Sequence, residues 1–242
     1  MRAGRDTAFR GAAALVFAIC TAATVRASLS MPMPWMRMPG QTWLGAALAF
    51  LAMWIAMTGA MMLPALMPVL CRFRRALAGT GATRDRLTAL VSAGYFCVLG
   101  ALGLAVFPLG VAAAAIQARL PAVARCAPLA AGVLIVIAGT LQFTSWKAHY
   151  LACCRGGPRH ERGMAADAGA AWRYGLQCGR HCSYCCAGFT VILLALGIMD
   201  LRAMALVTLA ITAERLAPSG QLVARGIGIA AVATGLMLVV RA

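Results

Sequence analysis

Residues 43–70 read WLGAALAFLAMWIAMTGAMMLPALMPVL, a run without one charged side chain. As a helix such a run is about 42 Å long, more than the roughly 30 Å of hydrocarbon in a bilayer. Lipid offers no water to an unpaired backbone, so a run of this kind crosses as a helix. The same reading extends along the chain. Apolar blocks lie near 11–28, 87–112, 128–147, 174–200, 203–217 and 223–240. The expected fold is all-α: a polytopic transmembrane bundle of seven spans, or six if the first is a cleaved signal peptide. Composition agrees, with 62% hydrophobic and 12% charged residues and a mean hydropathy of +0.84. Soluble domains carry roughly a quarter charged residues, which excludes that class.

The first block is ambiguous. Arg2, Arg5 and Arg10, an apolar run from Ala12 to Val25, and small residues at Ala27 and Ser28 also describe a signal peptide. The missing small-x-small site favours a retained helix. Residues 1–42 therefore read as an N-terminal helix or signal segment with a Met- and Pro-rich outer loop, and 43–242 as the transmembrane domain.

A net charge of +16 raises the question of nucleic acid, but the distribution argues against it. Arg and Lys gather in the short segments between apolar blocks, where they orient a membrane protein. Fifteen fall on one side and six on the other, leaving Arg180 unassigned. The expectation is a bacterial inner-membrane protein with its N-terminus in the cytoplasm and its C-terminus outside. Its partners are the lipid bilayer and a metal ion, with no nucleic acid.

Chemistry concentrates in CGRHCSYCC, Cys178 to Cys186, with four cysteines and a histidine in nine residues at the head of an apolar block. On a helix, Cys182, Cys185 and Cys186 fall within about 80° of Cys178, and His181 lies about 60° to the other side. All five share one face. Thiolates are soft donors that select Cu(I), zinc or iron–sulfur clusters. One or two cysteines here would read as small packing hydrophobes; this density points to a metal or a redox pair. The preceding inter-block segment SWKAHYLACCRGGPRH adds Cys153 and Cys154 as further candidate ligands. Its His149 and His160 also read as solvated loop side chains.

Methionine extends the soft-donor theme. The outer segment MPMPWMRMPG carries Met31, Met33, Met36 and Met38 between prolines that prevent a helix. Thioethers bind Cu(I) and survive where thiols oxidise; the plainer alternative is an interfacial loop dipping into lipid. Met53, Met57 and Met61 form a stripe, followed by Met62 and Met67, with Pro64 and Pro68 expected to break the helix. The stripe reads as packing filler or as a ladder that includes Met57 and Met61 as metal contacts. Asp200 reads as a boundary charge beside Arg202. Glu214, beside Arg215, reads as a boundary charge or as a group facing the interior. No nucleotide-binding loop, Ser-His-Asp arrangement or metalloprotease helix motif is present.

From about residue 43 onward the chain resembles a family of bacterial predicted metal-binding integral membrane proteins, defined by a domain of unknown function. The resemblance rests on MWIAMTGAMMLPALMP from Met53, WKAHYLACCR, the Trp172–Cys186 stretch ending CSYCC, GIMD at Gly197 and AERL at Ala213. Tyr150 stands where the family tends to have a cysteine, and Ala187 where an aromatic tends to follow CxxCC. A site needing that thiol would turn to Cys153 or a histidine.

The reading that emerges is a membrane protein that binds and handles a soft metal, Cu(I) first and zinc second, rather than an enzyme. Met31, Met33, Met36 and Met38 would collect the ion outside. Cys182, Cys185 and Cys186 would hold it at the inner face, with Cys154 or His181 completing the shell. The alternatives are a membrane thiol–disulfide protein using Cys182, Cys185 and Cys154, and a non-catalytic accessory subunit whose cysteines only pack.

Overall fold

A computed structural model describes residues 2–30, 40–77, 81–156 and 167–241. They form eight helices and no strand among the described residues: α1 (Arg2–Ser30), α2 (Trp43–Ala76), α3 (Gly81–Arg119), α4 (Pro121–Leu141), α5 (Ser145–Arg155), α6 (Ala168–Leu196), α7 (Leu201–Leu216) and α8 (Gly220–Arg241). Six of them, α1, α2, α3, α4, α6 and α8, are long and apolar enough to cross a membrane. The fold is the expected all-α bundle, compatible with a multi-pass membrane protein.

The sixth expected span, 203–217, corresponds to α7, which has 16 residues and a length of about 24 Å, short of the hydrocarbon thickness. Gly197, at φ +108°, terminates α6, and Asp200 caps the start of α7 by accepting from the backbone of Arg202 and Ala203. That reversal sends α7 back along α6. Residues 182–196 and 201–215 cover the same axial distance of about 21 Å, which returns the end of α7 to the level of Cys182.

Two further expectations are corrected. α2 is continuous through Pro64 and Pro68. Each proline removes one backbone donor, and the two sit four apart, so Pro68 removes the donor that would have bonded the Pro64 carbonyl; flanking turns and packed neighbours carry the helix past both. The segment after α4 is not an open loop. Thr144 caps it by accepting from Lys147 N–H, and residues 145–155 fold as α5 against α6.

The core lies between α2, α3, α6 and α7. α2 buries Phe50, Trp54, Met57, Met61 and Leu66 toward it, and the Trp54 indole donates to Leu99 O at 2.9 Å. α3 lies close against α6 because Gly175 and Gly179 carry no side chain. A Cβ on Gly175 would run into Val91 O, and one on Gly179 would stand 2.9 Å from Tyr95 O. Glycine also joins α4 to α8, where a Cβ on Gly235 would lie 2.8 Å from Gly132 O. Without a hydrophobic drive between helices in lipid, such close backbone approach supplies the packing energy.

Arginines tie the short helices into this frame. Arg72 of α2 donates to Arg155 O at the end of α5. Arg155 donates to Glu214 O, Ala217 O and Pro218 O at the end of α7. Each guanidinium satisfies carbonyls that a helix C-terminus leaves unpaired, at the pole where positive charge is favoured.

Candidate metal centre

The C-terminal ends of α5 and α7 meet α6 near its midpoint, and a cluster of sulfur atoms lies at that junction. α6 contributes Cys182, Cys185 and Cys186, which are 1%, 3% and 3% exposed. α2 contributes Met62, whose Sδ lies 3.7 Å from Cys182 Sγ. Cys182 and Cys186, one helical turn apart, hold their sulfurs 4.0 Å from each other. α5 contributes Cys154, which lies beside Cys185. The neighbouring Cys185 and burial push the Cys154 thiol above its usual range.

Two non-sulfur donors converge on Cys182. The Tyr95 hydroxyl donates to its Sγ at 2.9 Å, an approach that the Gly175–Gly179 face permits. Arg215 Nη2 donates to the same sulfur at 2.9 Å and lies 3.6 Å from Cys154 Sγ and 3.8 Å from Cys186 Sγ. A single guanidinium nitrogen thus sits among three sulfurs. Among the described residues no group of three or more His, Cys, Asp or Glu side chains is arranged to hold a metal ion; the space between these sulfurs carries Arg215 instead.

Beside the cluster is a buried ion pair. Lys147 Nζ donates to Glu214 Oε2 at 2.7 Å and to Cys185 O at 2.8 Å, and lies 4.8 Å above the Phe189 ring. The side chains are 4% and 2% exposed. Burial works against the ammonium, but the attraction of Cys185 and Glu214 outweighs it, holding Lys147 above its ordinary pKa. Of the two readings of Glu214, the interior one is observed, whereas Asp200 is a helix cap.

The other candidate residues are placed as follows. Cys178 is half-buried on the same face of α6. His181 faces away from the sulfurs toward Tyr150, with ring centroids 5.8 Å apart. Cys153 points to the rim, its Sγ 3.7 Å from His149 Nε2. Tyr150, standing where a family cysteine was expected, packs among Trp146, Tyr184 and the two histidines. Met57 and Met61 are buried in the α2 core, with Met62 the methionine of that helix seen to reach a cysteine sulfur. Met31, Met33, Met36 and Met38 lie outside the described residues.

Sequence reasoning did not assign Met62, Tyr95, Lys147 or Arg215 to this cluster. One signal was available for part of it: adjacent Glu214 and Arg215 close an apolar segment, and Lys147 closes another, so ionisable groups stood next to hydrocarbon where partners are required.

Residues 51–238 match the model of the PpoB2 family, described as copper chaperones. The match takes in most of the chain, and the protein belongs to that family. No curated protein and no solved structure matches it.

Proposed function

We propose that this protein is a membrane-embedded copper chaperone that carries Cu(I) on Cys182, Cys186 and Met62, with Cys154 and Cys185 as adjoining sulfurs for ligand exchange. One observation carries the reading. Three sulfurs from two helices are linked by separations of 3.7 and 4.0 Å in a buried setting. Metal–thiolate bonds are about 2.3 Å, so sulfurs sharing an ion lie up to about 4.6 Å apart. Both separations fit within that limit.

The donor chemistry supports copper over zinc. Thiolate and thioether together select Cu(I), whereas zinc takes thiolate, imidazole and carboxylate in a tetrahedral shell. Membership of a copper-chaperone family points the same way. Met31, Met33, Met36 and Met38 fit collection of the ion on the opposite side, and the asymmetry of arginine and lysine supports a sulfur cluster toward the cytoplasm.

The test is to purify the protein, load it anaerobically and count bound metal. Stoichiometric copper that is lost when Cys182 and Cys186 become serine supports the reading. Sub-stoichiometric copper unchanged by those substitutions ends it. The thiol–disulfide alternative draws on the nearness of Cys154 on α5 to Cys185 on α6; a reversible disulfide trapped there by alkylation, with no copper retained, would replace the copper reading.

A further inference from the structure

We propose that Arg215 sets the charge specificity of the sulfur site: its guanidinium holds the place of the cargo when the site is empty and, moved aside but retained, balances a monovalent ion bound by two thiolates. This rests on the copper reading above and names the residue that would restrict it to monovalent soft cations.

Position is the first argument. Arg215 Nη2 is 2.9, 3.6 and 3.8 Å from the sulfurs of Cys182, Cys154 and Cys186. The nitrogen lies among the donors that a shared ion would use, so entry of the ion requires the guanidinium to withdraw. Its anchoring allows this. Arg215 Nε is buried without a hydrogen-bond partner among the described residues, and its Nη2 contacts are to sulfur. Arg155, by contrast, is fixed by three backbone carbonyls and stays as a structural clamp.

Charge is the second argument. Lys147 is paired with Glu214 at 2.7 Å, and Arg215 is the cation that donates to the sulfurs of Cys182, Cys154 and Cys186. Metal-bound cysteines are thiolates. Two thiolates with a monovalent ion carry one net negative charge, which Arg215 cancels. Two thiolates with a divalent ion are already neutral, so Arg215 would remain as an unpaired charge in an apolar interior, an arrangement strongly disfavoured. Irving–Williams affinity does not provide this discrimination by itself; a positive charge retained beside the site does.

The experiment compares full-length wild type, Arg215→Met and Arg215→Lys in detergent, each titrated anaerobically with Cu(I), Ag(I) and Zn(II) against chelators of known affinity. Arg215→Met removes both the place-holder and the charge, so absolute affinities shift in both directions and the Cu(I)-to-Zn(II) ratio is the readout. That ratio is expected to fall by about tenfold or more in Arg215→Met, with Ag(I) following Cu(I). Arg215→Lys keeps the charge and is expected to keep the ratio, which also guards against a folding defect in the neutral variant. An unchanged ratio in Arg215→Met, or equal loss of the ratio in Arg215→Lys, overturns the inference while leaving copper binding by Cys182 and Cys186 intact. Absence of Cys182- and Cys186-dependent copper from the wild type would instead remove the copper reading itself.

Discussion

Arg215 Nη2 and Cys182 Sγ stand 2.9 Å apart, joining the last turn of the short helix α7 to the middle of α6. This contact exists because α6 reverses at Gly197 and α7 retraces it over the same axial distance. A half-length helix thereby delivers a cation to a buried sulfur that a full span would have carried past.

Met62 and Met57 separate ligand from filler. Met62→Leu conserves volume and removes only the thioether, so it is expected to weaken Cu(I) binding by about tenfold or more with little change in stability. Met57→Leu and Met61→Leu, on the same helix but seen only in the packed core, are expected to bind copper as wild type does. Chelator competition on the three variants checks this.

Lys147 and Glu214 form a pair whose value lies in its completeness. Lys147→Met strands a carboxylate that is 2% exposed and is expected to destabilise the protein by about 3–5 kcal/mol. The double variant Lys147→Met/Glu214→Leu removes both charges and is expected to recover most of that loss. Thermal unfolding of Lys147→Met, Glu214→Leu and the double variant in detergent reads the coupling.

Gly179 holds α3 against α6. Gly179→Ala places a Cβ 2.9 Å from Tyr95 O, so one helix must shift and Tyr95 must leave Cys182. The expected outcome is a lowered melting temperature together with weakened copper binding. Tyr95→Phe, which removes the hydroxyl and keeps the ring, is expected to lower copper affinity with a smaller effect on melting.

Much of the architecture was readable because lipid makes the backbone obey one rule: charge-free runs such as 43–70 must be helical. The shared face of Cys182, Cys185 and Cys186 also followed from helical periodicity alone. α5 was hidden because its eleven residues SWKAHYLACCR carry no long apolar period, and its helix is specified by the Thr144 cap and by docking on α6. Arg215 and Lys147 were counted as orienting charges because a sequence gives their proximity to a boundary but not the direction of the side chain. His181 was drawn into the site by its position beside Cys182, yet its place on the wheel turns it to Tyr150. Met62 was overshadowed by the regular stripe of Met53, Met57 and Met61, although it is the residue one step out of register that meets the cysteine.

The most direct measurement is copper K-edge X-ray absorption on the anaerobically loaded full-length protein and on Cys182→Ser/Cys186→Ser. The account requires a sulfur-only first shell in the wild type that disappears from the double variant. A shell dominated by nitrogen or oxygen, or a sulfur shell that survives loss of both cysteines, would contradict it.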